Sequence, residues 1–305
     1  MSEKNAVIAP LAPVEQAELE TYRSQSAIIR KAIGWKRMHE LVRPMIEATY
    51  ADMAVKTAAA AKLGHPEFVL SPISFVKVEG LSWQRFVKGF HPIEKMSVDM
   101  DFFMSPDHII FQQFDEETEE FPAGTAILVE PIGESMTGSL VSALDPVRDK
   151  EYCDRVFEDG YDESFGFFSR NMYTREIKYI ICTQVKQAGR TGFTARRLSL
   201  RRPMATPEGK LQDRATEVVL GRTADTGHPH RDLEYYRSME YMREKAKADR
   251  DAGNCKDEDF EYLNVPFSLV WDDIKIDPNQ MDRFELDAHR RFAPLMEKAL
   301  KQLQE

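Results

Sequence analysis

Cysteine is scarce in this chain. Among its 305 residues there are three, Cys153, Cys182 and Cys255. The count is odd, the spacing is wide and no Cys-x-x-Cys occurs. A disulfide framework is therefore not expected, and a reducing, cytoplasmic setting is. Basic charge is also short: 41 Lys and Arg stand against 51 Asp and Glu, a net −10. Bulk attraction of the whole molecule to nucleic acid is excluded on that ground. Long hydrophobic runs are missing as well. No uncharged stretch approaches the ~20 residues of a membrane span. The longest candidate, Thr125 to Leu144, carries Glu130 and Glu134. The opening segment is broken by Pro10 and Pro13 and lacks a basic lead, so neither a secretory signal nor a membrane partner is expected.

What is present is ordinary for a globular protein. Apolar residues make up 42 % and charged residues 30 %, with 18 Phe and 14 Met, which excludes a wholly disordered chain. Residues 1–14 read as a flexible arm, and 15–305 as one domain. A division into a helical part, 15–64, and a sheet-containing part, 65–305, is the alternative.

Glu15 to Ile33 has helical spacing through Leu19, Tyr22, Ile29 and Ile33, and Gly34 interrupts it. A second helix is predicted over 35–63 from Met38, Leu41, Val42, Met45, Ile46, Tyr50 and Met53. Pro44 predicts a kink or break within it. From Pro72 the period changes to two. Ile73–Glu79, Trp83–Phe90, Met96–Phe103, Ile109–Phe114 and Thr125–Val129 read as strands. The acidic run from Asp115 to Glu120 reads as a solvated loop. Residues 132–170 are expected to form short helices and loops. Arg175–Lys186 and Phe193–Arg202 form a predicted hairpin about the turn 188–192. Thr216–Gly221 and Val265–Ile276 read as further strands, and Arg231–Arg250 and a segment from Asp277 onward as helices. The fold class is α+β: a mostly antiparallel sheet flanked by N-terminal and C-terminal amphipathic helices, with a projecting basic β-hairpin.

That hairpin is the strongest functional signal. Residues 174–214 hold ten basic side chains against three acidic ones, so the segment is +7 and the rest of the chain −17. Lys186, Arg190, Phe193, Arg196, Arg197, Arg201 and Arg202 are the candidate binding residues. Arginines on both strand faces predict an arm standing clear of the core. Guanidinium groups offer paired donors to phosphate or carboxylate, and Phe193 offers a ring on which a base can stack. The bland alternative is a hairpin whose arginines pair with local acids.

Three other patterns carry less. Asp99 and Asp101 lie on one face of a predicted strand, ~7 Å apart, and could hold a divalent cation for nucleotidyl transfer. They are the candidate catalytic residues, but no third carboxylate can be nominated. Gly133 to Ser139 follows an apolar strand, yet Ser139 stands where a phosphate loop needs lysine and Thr137 where a nucleophile elbow needs glycine. A loop is the default there. His228, His230 and Asp232 have metal-ligand chemistry, but the intervening proline and the lack of a second cluster leave a polar loop as the expectation. No metal and no cofactor are assigned.

The sequence therefore predicts a non-enzymatic binding or assembly protein, whose basic hairpin meets an acidic partner surface or another copy of the chain. A nucleic-acid-binding protein using the same hairpin is one alternative. A metal-dependent nucleotidyltransferase-like enzyme is the other.

Overall fold

The computed structural model describes residues 9–71, 73–90, 108–132, 135–206, 208, 209, 211, 212, 230–254 and 261–276. In the terminal stretch it describes 279, 282, 283, 285–287, 289, 290, 293, 294, 297, 298 and 301. Helix α1 (Pro13–Lys62) opens with Pro at its first turn, and the Glu15 carboxylate accepts the Ala12 N–H at 2.9 Å. Its one non-helical position is Gly34, with φ 74° and ψ 160°. A Cβ there would meet nothing within 4 Å, so the break needs glycine for its backbone, not for space. The helix runs on through Pro44, where the sequence predicts a kink. Pro44 is exposed, and the carbonyl it leaves without a donor can turn to water.

Among the described residues ten strands form one antiparallel sheet: β1 (Val69–Leu70), β2 (Ser74–Glu79), β3 (Ile110–Phe114), β4 (Thr125–Ile132), β5 (Ser135–Ala143), β6 (Glu163–Arg170), β7 (Ile177–Ala188), β8 (Gly192–Arg201), β11 (Ser268–Trp271) and β12 (Ile274–Lys275). Strands β9 (Met204–Ala205) and β10 (Leu211–Gln212) pair separately. The order is β12-β11-β2-β8-β7-β6-β5-β4-β3, with β1 continuing β2's course along β8. An α+β architecture with a mostly antiparallel sheet is thus present.

Helices α2 (Trp83–Phe90) and α4 (His230–Asp251) cover one face, where Phe86, Met239 and Met242 pack on Val76, Val78, Phe193, Ala195 and Leu269. On the other face α1 lies over β3 to β5 through Met38, Val42 and Ile46. A short helix, α3 (Lys150–Val156), lies over the middle of that face and packs on Cys182, Leu198 and Leu200. Cys153 and Cys182 are free and buried. Burial pushes the Cys182 thiol up to about 12, so it stays protonated and inert at neutral pH. Among the described residues no helix is long and apolar enough to cross a membrane.

Four departures from the sequence reading have physical causes. Trp83–Phe90 is a helix: Trp83, Phe86, Val87 and Phe90 follow the helical period, and the Ser82 hydroxyl accepts the Arg85 N–H at its start. The 132–170 stretch contains strands β5 and β6. Both lie inside the sheet with residues buried on successive positions, so no alternation marks them. Ser135 to Ser139 is accordingly strand, not loop. The predicted strand Val265–Ile276 folds back at Asp272 and Asp273, both with positive φ, into a tight hairpin. The predicted strands at 96–103 and 216–221 lie outside the described residues.

The basic hairpin is formed by β7 and β8, but it does not project. Strand β7 pairs with β6 along its other edge, and β8 with β2 and β1. The ribbon is the middle of the sheet. Gly192 admits this neighbour, because a Cβ there would lie 2.3 Å from the Val78 carbonyl oxygen.

Candidate protein-binding surface

Most charges of the hairpin are used inside the fold. Arg196 is buried, and its guanidinium donates to the Val156 carbonyl at 2.9 Å, Gln184 Oε1 at 2.8 Å and Glu158 at 2.7 Å. It fastens the end of α3 to the sheet. Arg197 lies over the Trp271 ring. Arg202 pairs with Glu67 at 3.3 Å and covers Phe68, and Arg190 pairs with Glu261 at 2.7 Å. Arg201 is half-buried, opposite Tyr179. Phe193 is fully buried and stacked on Phe86, so it offers no ring to a base. Lys186 and Arg190, at the turn end, are exposed.

Lys178 shows how far inward such a charge can go. It is only 8 % exposed. Its Nζ donates to Ser139 Oγ at 2.7 Å, Thr137 Oγ1 at 2.9 Å and the Gly138 carbonyl at 3.0 Å. The Ser169 hydroxyl meets Ser139 Oγ at 2.9 Å, and the Tyr50 hydroxyl also donates to the Gly138 carbonyl. A lysine against a serine is chemistry that nucleophilic catalysis uses. Here Ser139 and Ser169 are sealed from solvent. The pairing of β5 with β6 covers only Leu140–Ala143, so the preceding half of β5 lacks a strand on that side. Lys178 and Tyr50 supply the missing donors, as buried carbonyls require. The sequence gives no sign of this cluster, because its members come from four separate elements, α1, β5, β6 and β7.

The register assembles a different group on the surface. Lys186 faces Thr194, Thr194 faces Lys77, Lys77 faces Val270, and Val270 faces Lys275. Directly opposed residues share a sheet face, so these five form one row across β7, β8, β2, β11 and β12. The three lysines are exposed. Successive lysine Cα atoms are two strands apart, roughly 10 Å. Lys77 has Asp273 at 3.8 Å, an exposed contact of little strength. The neighbouring row holds Gln184, Arg196 and Phe75. There the end of α3 still roofs Arg196, while Phe75 is half-exposed. Ile73 and Leu70, just before it in the chain, are half-exposed too. The surface thus joins three ammonium groups to Phe75 one row away, with Ile73 and Leu70 further off, Leu70 opposite Leu200 and roughly 20 Å along β8 from the row. Lys77, Lys275 and the apolar trio are absent from the sequence-level set, because only strand register brings them beside Lys186.

The remaining candidates contribute less. Asp99 and Asp101 lie outside the described residues, as does His228; His230 falls in the first turn of α4. Among the described residues no group of three or more His, Cys, Asp or Glu is placed to hold a metal ion. No protein family matches this chain, and no curated protein matches its sequence.

Proposed function

We propose that this chain is a non-enzymatic binding or assembly protein. Its binding surface is the lysine row of Lys186, Lys77 and Lys275 with the adjoining Phe75 and, beyond it, Ile73 and Leu70, and its partner is an acidic protein surface. The observation that carries this reading is the row itself. Exposed cations beside half-exposed apolar side chains give a partner both area to bury and charge to register. The inward hairpin residues, Arg196, Arg197, Arg201, Arg202 and Phe193, serve this surface by holding its strands in place.

Nucleic-acid binding is the second reading, because ammonium groups in a row can also contact phosphates. The burial of Phe193 and the aliphatic Leu70 and Ile73 favour protein. The test is fluorescence anisotropy of a labelled poly-glutamate peptide and of a labelled single-stranded oligonucleotide, each at low and high salt. The expected result is salt-sensitive peptide binding that is lost in the triple variant Lys77→Ala, Lys186→Ala, Lys275→Ala. Binding of the oligonucleotide alone would transfer the surface to the second reading. Peptide binding indifferent to the triple variant would refute the site.

A further inference from the structure

The chain carries its own acidic partner for this surface, at the opposite end of the sheet. The loop between β3 and β4 presents Asp115, Glu116, Glu117, Glu119 and Glu120, all exposed. It is a formed structure. The Phe121 N–H donates to Thr118 Oγ1 at 2.8 Å, the Thr118 N–H donates to the Phe121 carbonyl at 2.9 Å, and the Gly124 N–H closes on Phe114 at 2.8 Å. Phe114 stacks on Phe121 with centroids 4.6 Å apart, and Trp35 meets both edge-on. Arg175 donates to the Glu120 carbonyl at 2.6 Å and lies over the Phe121 ring. The loop is therefore an acidic tip on an aromatic base. A partner that binds it does not have to order it first, which removes much of the entropic cost of docking.

The lysine row runs from β7 to the β12 edge, while this loop joins the last two strands at the other edge. From β7, the near end of the row, to β4 the strand order counts three steps, roughly 14 Å at ~4.8 Å per strand, and Arg175 ties the loop to the β6–β7 turn, at the end of β7 remote from Lys186. A carboxylate side chain cannot span that distance, so loop and row cannot meet within one molecule. Between molecules they can. We infer that the acidic partner is a second copy of this chain: the β3–β4 loop of one copy docks on the lysine row and the Leu70–Phe75 apolar trio of the next. The two contact surfaces differ, so the association is head to tail. It propagates unless the rotation closes a ring. This inference rests on the proposed binding surface and names its occupant.

The experiment uses the full-length chain and three forms of it. One is wild type. One has the row reversed, Lys77→Glu, Lys186→Glu and Lys275→Glu. One has the loop reversed, Glu116→Lys, Glu117→Lys and Glu119→Lys. All six positions are exposed, and circular dichroism melting verifies folding; alanine versions replace any variant that fails to fold. Light scattering is read across a concentration series at low and high salt. Wild type is expected to gain mass with concentration at low salt and to return to monomer at high salt. Each reversed form alone is expected to associate about tenfold more weakly or worse, because like charges then oppose. An equimolar mixture of the two is expected to recover association, since each acidic surface regains a basic one. Wild type that associates without recovery in the mixture overturns the loop-to-row contact. Wild type that stays monomeric, yet binds poly-glutamate through the row, overturns self-association and leaves the binding surface standing. Failure of both assays removes both.

Discussion

Lys178 and Lys186 are the same residue type on the same strand, yet they serve opposite ends. Lys178 is sealed beneath α1 and saturated by Thr137, Gly138 and Ser139. Lys186 is exposed, in line with Lys77 and Lys275. The difference comes from what lies above each end of the ribbon. At the Lys178 end, β5 runs past β6 and leaves a carbonyl without a strand partner. At the Lys186 end the roof of α3 has stopped one row earlier, at Arg196. A charge under a roof becomes part of the fold, and a charge outside it remains available. Counting +7 over the segment treats the two alike.

The comparison is broken most directly at its buried end. Lys178→Met is expected to lower stability by about 3 kcal/mol, because it leaves buried hydroxyls and the Gly138 carbonyl short of donors. Chemical denaturation measures this. A loss no greater than that of Lys186→Met would mean that the two lysines do not differ as described.

A second buried charge gives a pH handle of similar size. Glu285 is completely buried between α1 and α4 and receives Arg23 at 2.6 Å and Arg237 at 3.0 Å. Burial pushes its carboxyl up, but the hydrogen bond from Arg23, the His289 ring 3.5 Å away and the charge of Arg237 outweigh this and hold it at about 2. A depressed carboxyl stabilises the fold above its unfolded value and loses that contribution as pH falls through the folded one. Stability should therefore drop between pH 4.5 and 2, and the Glu285→Gln variant should lack that part of the drop while losing roughly 3 kcal/mol at neutral pH. Thermal melts across that range decide it.

Arg196 sharpens the border between the two regimes. Arg196→Ala should cost about 2 kcal/mol, since Gln184 and the Val156 carbonyl lose a buried donor. It should also loosen α3, read as faster amide exchange over Lys150–Val156. Unchanged exchange there would separate Arg196 from the roof.

At the exposed end the effect on the fold is smallest. Lys186→Ala and Lys77→Ala should each change stability by less than about 0.5 kcal/mol, as surface substitutions do. Their signature is weaker salt-sensitive binding at unchanged melting temperature. A destabilisation comparable to that of Lys178→Met would place Lys186 in the fold after all.

The fold was legible in the sequence where one face of an element meets water. The alternation from Ser74 to Glu79 and the spacing of Met38, Val42 and Ile46 mark their elements because half of each is exposed. Strands β5 and β6 were illegible for the opposite reason: buried on both faces, they have no period. Trp83–Phe90 carries its apolar residues at i, i+3, i+4 and i+7, the helical spacing, but over only two turns and directly after the alternation of β2, so reading it as a further strand carried that alternation too far. Of the candidate site, Lys186 and Arg190 were visible as part of a basic segment. Lys77 and Lys275, 109 residues before and 89 residues after Lys186 in the chain, were not.

The sequence by itself determined the mixture of helix and antiparallel strand, the break at Gly34, the β7–β8 hairpin and the exposed acidic loop. Each depends on a residue's relation to its near neighbours in the chain. Tertiary structure alone decided that the hairpin is the centre of the sheet rather than an arm. It also decided which of its charges are buried and which three lysines stand in one row. Those outcomes depend on which strands lie side by side, and strand neighbours are chosen by burial across the whole chain rather than by local sequence.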